Sequence, residues 1–198
     1  IYELMNGNPD PYYTSRDGSV TSSNVIPKLR GLGYDIVFVD FIDGAGNVLI
    51  NAQRFRDFLT EVLNGETYRD EKTEEYVLVG PSMGGLITRA ALKVLENQGI
   101  NHYIRQWISF DSPHGGAYIP LGLQHALKIL KEDMLARLGD DTPVESLASL
   151  ATPAARQFLV KHHTDNYDSY NYFYNYMNAL GYPEKCQKIA IANGSGAK

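Results

Sequence analysis

The chain has 198 residues, 43% of them hydrophobic and 21% charged, which fits a single globular domain with a core of its own. A formal net charge of -5 and a pI near 5.5 offer no positive field to a phosphate backbone, and no Lys/Arg block is present, so nucleic acid is not expected as a partner. No apolar run reaches the roughly 18–20 residues of a membrane span, no signal-peptide pattern opens the sequence, and the lone Cys186 excludes an internal disulfide and reads as a small buried residue.

Residues 1–20 read as a short strand or a helix end followed by a turn-rich loop, NPDPYYTSRDGS. Ser22 or Ser23 is placed to cap a helix through Val25, Ile26 and Leu29 that stops at the glycines of RGLGY. IVFVDF, residues 36–41, has the continuous apolar and β-branched character of a buried strand. Ala52, Phe55, Phe58, Leu59, Val62 and Leu63 then recur at helical spacing up to Asn64-Gly65. A charged loop, ETYRDEKTEE, leads to a second strand, YVLVG at 76–80, and Leu86 to Glu96 reads as the helix behind it. WISFD, residues 107–111, is the third strand, closed by the turn SPHGG.

Residues 117–180 lack a strand pattern. Leu123, Ala126, Leu127, Leu130 and Leu135 predict one helix, Thr142-Pro143-Val144-Glu145 a capping box, and Thr152-Pro153 a further helix start. Tyr170, Phe173, Tyr174 and Met177 share one helical face, stopped by Gly181-Tyr182-Pro183. KIAIAN, residues 188–193, is the fourth strand. This alternation predicts an α/β fold in one domain: a parallel sheet in three layers, with 117–183 a helical insertion.

Gly80-Pro81-Ser82-Met83-Gly84 has the G-x-S-x-G spacing of a nucleophile elbow and falls between a predicted strand and a predicted helix, the context such a motif requires. The chemistry explains the spacing. Ser82 must stand in a sharp turn at the end of the sheet, and the close approach of strand and helix leaves room only for glycine two residues to either side. The backbone N–H of Met83 is then placed to donate to an oxyanion at the helix N-terminus. A phosphate loop is excluded, since neither the G-K-[ST] ending nor G-x-G-x-x-G spacing is present. A glycine-rich turn with a merely capping serine is the non-chemical alternative.

YVLVGPSMGGLITRAAL followed by ISFDSPHGGA resembles the lipase-like branch of the α/β-hydrolase superfamily, which includes triacylglycerol lipases and proteins similar to GPI inositol-deacylases. Upstream, GLGYDIVFVDF resembles the passage that precedes the elbow in these proteins, so the similarity covers about residues 20–120. Pro81 departs from the His that many relatives carry there. The resemblance implies an α/β-hydrolase-like sheet with 117–183 as a cap or lid, and hydrolysis of a small-molecule ester or lipid through an acyl-enzyme on Ser82. It implies no metal and no organic cofactor. The elbow does not separate esterase from thioesterase or peptidase, and compartment and oligomeric state are left open, a secreted or extracytoplasmic bacterial location being compatible with the aromatic, Asn-rich composition.

A serine nucleophile needs a base and an orienting acid, in this fold in the chain order Ser, Asp/Glu, His. No Asp or Glu follows Glu184 and no His follows His163. Three expectations compete: a sequence incomplete at one or both ends; an internal set using Asp111 with one of His102, His114, His125, His162 and His163; or a hydrolase fold that binds without catalysis. Asp111 also reads as an ordinary turn residue after a strand, and the His162-His163 pair as an exposed helix end.

Overall fold

The structure is a computed structural model that describes residues 25–65, 75–138, 150, 152–164 and 168–193. The capping serines 22 and 23, the loop 66–74 and the capping box at 142–145 lie outside the described residues. The chain divides into two compact units, Ile1–Phe41 and Ile42–Lys198.

In the first unit, helix α1 (Val25–Gly31) forms as its spacing predicts and ends before Gly33, whose φ of 90° suits only glycine. The expected strand 36–41 does not form. Residues 34–41 carry no ladder, and Val37, Phe38 and Val39 are exposed. An apolar β-branched run becomes a strand only when a neighbour takes its N–H and C=O groups, and no partner occurs among the described residues.

The second unit is built on an open three-stranded sheet in the order β1 (Tyr76–Pro81), β2 (Ile104–Phe110), β3 (Gln187–Ile191), every pair parallel. The register sets Pro81 opposite Phe110 and Phe110 opposite Ile191, so the three strands end level with one another. The crossovers that parallel strands demand are supplied by α3 (Met83–Asn97) between β1 and β2, and by α4 (Leu121–Leu138), α5 (Pro153–Phe158) and α6 (Asp168–Leu180) between β2 and β3. Before the sheet, α2 (Val48–Asp57) runs on into a π-helical turn over Phe58–Leu63.

Alternation along the strands assigns their faces. Trp107 and Ser109 are buried toward the helices, and the Trp107 indole N–H donates to Thr88 Oγ1 of α3 at 2.9 Å. Val77, Val79, Phe110 and Ile191 point to the opposite face and are exposed. Helix α3 is the centre of the unit. It packs on β1 and β2 and against α2 and α6, and Leu86, Ile87, Leu92 and Leu95 are at most 1% exposed. Helix α2 begins earlier than its apolar pattern suggests, because Asn47 caps it by accepting the N–H groups of Leu49 and Ile50. Thr152 caps α5 through Ala155 N–H, with Pro153 at the first helical position, as its sequence predicts.

Helix α6 places Phe173, Tyr174 and Met177 in the core, the face its spacing predicts. Arg89 of α3 is 1% exposed and ties α6 down. Its Nε donates to Gly181 O at 2.8 Å and its Nη2 to Met177 O at 2.7 Å, so a cation satisfies the last carbonyls of the helix. The guanidinium lies 3.6 Å over the Tyr182 ring, which adds a cation–π contact. At the other end of α3, Glu96 accepts the N–H groups of Glu184 and Lys185 at 2.7–2.8 Å, faces His102 Nε2 at 3.4 Å and is 3.5 Å from Lys93 Nζ. These bonds join the end of α3 to the entries of β2 and β3.

Candidate active site

β1 ends at Pro81 and α3 begins at Met83, so the whole change of direction falls on Ser82. Its φ of 50° and ψ of -123° are forbidden to most L-residues, and such strain persists only where the surroundings enforce it. Two bonds do so: Ser82 N–H donates to Phe110 O of β2 at 2.8 Å, and Gly85 N–H returns to Ser82 O at 3.1 Å. The side chain is exposed and does not cap the helix. Ser82 therefore stands at the N-terminus of a 15-residue helix with its hydroxyl turned outward. The first N–H groups of that helix, Met83's among them, have no intrahelical acceptor, and the helix dipole favours negative charge beside them.

The glycines around the serine differ in what they permit. A Cβ on Gly80 would lie 2.7 Å from Gly84 O and from Thr88 Oγ1, so β1 and α3 meet there without space for a side chain. Gly84, the last residue of the motif, is looser, its nearest neighbour being Pro81 Cδ at 3.3 Å. Gly85 is the tightest: a Cβ would overlap Ser112 Oγ and come within 2.7 Å of Ser109 Oγ. The five-residue pattern thus understates the constraint, and Gly85, the last glycine of GPSMGG and outside that pattern, carries most of it.

The turn after β2 is built from the same small groups. Ser112 Oγ donates to Gly80 O at 3.2 Å, joining the turn to the start of the elbow. His114 Nε2 lies 2.7 Å from Ser109 Oγ, and its ring packs edge-on against Trp107 and Tyr182. Tyr170 OH donates to Gly115 O at 3.1 Å and Tyr174 OH to Pro113 O, so the tyrosines of α6 brace the SPHGG turn. Burial, with the Arg89 charge added, pushes the His114 imidazole down to about 4.

That shift predicts acid sensitivity. His114 is neutral in the fold at pH values where an unfolded histidine, near 6.5, is charged. Its contribution is complete above about 6.5 and is lost as the pH falls toward 4. Urea unfolding at pH 7 and pH 4.5 is expected to show this loss in the native chain and a shallower loss in His114→Gln.

Asp111 follows β2 as Ser82 follows β1, also with positive φ, at 48°. Its N–H donates to Ile191 O, and its carboxylate accepts from Asn193 N–H and Asn193 Nδ2, each at 3.2 Å. Asp111 thus fastens the end of β3, the turn role weighed for it from the sequence, and no histidine among the described residues bonds to it. None bonds to Ser82 either. His102 meets Glu96 at the opposite end of the strands, His114 meets Ser109, His162 Nε2 donates to Leu150 O at 2.6 Å, and His163 meets Gln124. His125 is exposed, against the His163 ring. Strand and turn patterns placed Ser109, Ser112 and Asn193 near this end of the sheet, but not their hydrogen bonds, since short polar side chains carry no periodic signal of their partners.

Glu96, His102 and Cys186 are buried with potential ligand atoms within 4.8 Å of one another. The donor set does not suit a metal. His102 Nδ1 accepts the N–H of Ile104 at 3.0 Å, which leaves the ring proton on Nε2, facing Glu96. A ligating imidazole has the reverse arrangement, with its free nitrogen donating. The cluster is a buried hydrogen-bond junction. Among the described residues no helix is long and apolar enough to cross a membrane.

A family model described as palmitoyl protein thioesterase matches residues 40–192, from the run before α2 through the elbow to the end of β3. No curated protein and no solved structure matches the chain.

Proposed function

Because the chain belongs to the palmitoyl protein thioesterase family, a family of hydrolases with an α/β-hydrolase-like sheet, we propose that it hydrolyses acyl thioesters and related esters through a covalent acyl-enzyme on Ser82. The observation that carries this reading is the backbone of Ser82, held at φ 50° and ψ -123° between a parallel strand and a helix with its side chain exposed. Asp111 also has a positive φ, but its carboxylate is engaged by Asn193, whereas the Ser82 side chain makes no cap bond to its helix, so the strain at Ser82 supports a functional reading.

In this mechanism Ser82 Oγ attacks the acyl carbon and its proton passes to a base. The carbonyl oxygen becomes an oxyanion that the Met83 N–H and the α3 dipole stabilise. Collapse expels the leaving group, and water then releases the acid from the acyl-enzyme and restores the serine. A thiolate leaves more easily than an alkoxide, because a thiol has a pKa near 8.5 and asks less of a general acid. The thioester is therefore the less demanding substrate, and the family match, not the elbow, favours it. With this reading goes the assignment of residues 117–183 to a substrate-side insertion whose base, α6, is packed on α3.

Hydrolysis of a long-chain acyl thioester, set beside the oxygen ester of the same acyl group, tests the proposal. The expected result is thioester cleavage that falls at least about 10³-fold in Ser82→Ala. Cleavage unchanged by that substitution overturns it.

A further inference from the structure

Three histidines crowd together away from the elbow, where α4 meets the segment after α5. The rings of His162 and His163 stack at 4.6 Å, and His125 of α4 stands edge-on to His163 at 5.5 Å between centroids. Their hydrogen bonds separate them. His162 is fully used: Nε2 donates to Leu150 O at 2.6 Å and Nδ1 accepts the Thr164 N–H at 3.1 Å.

His163 is only half used, and the half is fixed by Gln124. That side chain is 1% exposed, and its Nε2 donates to both Ile119 O and Lys161 O at 2.7 Å, which leaves no doubt which amide atom is oxygen. Gln124 Oε1 therefore accepts, from the His163 backbone N–H at 3.1 Å and from His163 Nδ1 at 3.3 Å. The ring proton sits on Nδ1, and the lone pair is left on Nε2. His125 is exposed, and no hydrogen bond engages its ring among the described residues.

We propose that His125 and His163 form a two-histidine site for a divalent transition ion of the zinc, copper or nickel class, which fastens α4 to the segment 159–164. The chemistry of the pair matches that class, for which neutral imidazole is a preferred ligand. The ring centroids stand 5.5 Å apart, close to the roughly 5 Å of two imidazoles that share an ion ~2.1 Å from one nitrogen of each, and the edge-on, exposed His125 ring has to turn about its side-chain torsions to bring a nitrogen toward His163 Nε2. The partner of His163 is what a ligating histidine requires: an acceptor on the other nitrogen that sets tautomer and ring orientation, itself immobilised by two backbone bonds. His102 shows the reverse arrangement and is excluded for that reason. Solvent completes the coordination on the exposed side of His125. Lys128 and Arg156 lie close enough to the His163 ring to oppose a cation, which limits the site to modest affinity.

Titration of the full chain with Zn²⁺ by calorimetry, with thermal unfolding alongside, tests the site. The expected result is one ion per chain with micromolar affinity and a rise in melting temperature. His125→Ala is exposed enough to fold normally and should lose at least tenfold in affinity and the thermal shift; Gln124→Leu should weaken binding with both ligands still present. With Cu²⁺, the native chain should give an electron paramagnetic resonance spectrum with nitrogen couplings that His125→Ala reduces. Absence of binding overturns the proposal. So does binding that survives His125→Ala, and its loss in Cys186→Ser would place the ion at the buried junction instead.

Discussion

Gly85→Val is expected to destroy the elbow, with a loss of more than about 3 kcal/mol and little folded protein recovered, while Gly84→Ala leaves the fold within about 1 kcal/mol of native. The two residues are adjacent, and the motif names only the first. At Gly85 an added Cβ overlaps Ser112 Oγ and meets Ser109 Oγ at 2.7 Å. Neither hydroxyl can withdraw freely. Ser112 holds the carbonyls of Gly80 and Phe110, and Ser109 is buried on β2 against His114. Relief would require α3 to move off the sheet, breaking the Trp107 to Thr88 bond and the packing of Leu86 and Ile87. At Gly84 the nearest atom is Pro81 Cδ at 3.3 Å, at the rim of the turn. Chemical denaturation of the two variants side by side separates these outcomes, and equal stability of both would contradict this account of the elbow.

Glu96→Ala is the second large effect, expected at about 3–5 kcal/mol. The carboxylate is buried, and burial alone would push its pKa up. The N–H groups of Lys185 and Glu184, with His102 and Lys93, outweigh that and hold it below the ordinary carboxylate range. Truncation leaves these donors buried without an acceptor. Glu96→Gln should cost nearly as much, since one oxygen becomes a donor facing an N–H. The depressed pKa also fixes the sign of the pH effect. The Glu96 contribution is full above the unfolded value, near 4.5, and is lost as the pH falls through its folded value. Urea midpoints at pH 7 give the size of the effect, and a loss below 1 kcal/mol would show that the junction is not a main tie between α3 and the sheet.

Much of this was legible in the sequence because it rests on periodicity and on the geometry of glycine. Three of four expected strands form, and α3, α4, α5 and α6 lie where apolar spacing or capping signals put them. The strand-to-helix turn was legible because GPSMGG falls between a buried-strand pattern and a helical one, although Gly84 proves looser than the motif implies. Strand 36–41 was misread because composition reports readiness to be buried, whereas a strand also needs a partner. The shared face of Tyr170, Phe173, Tyr174 and Met177 was legible, but not that Tyr170 and Tyr174 brace the SPHGG turn, a contact across more than fifty residues that no local pattern encodes. Gln124 and Glu96 were invisible for the same reason, each acting through hydrogen bonds to distant backbone, whereas the Asn47 cap is a local signal that the apolar spacing of α2 did not reveal.

Activation of Ser82 as a nucleophile is read out by reaction with a fluorophosphonate probe followed by intact mass. One adduct per chain is expected, located on Ser82 and absent in Ser82→Ala. A well-folded chain that takes up no probe, or an adduct that persists in Ser82→Ala, would contradict that activation.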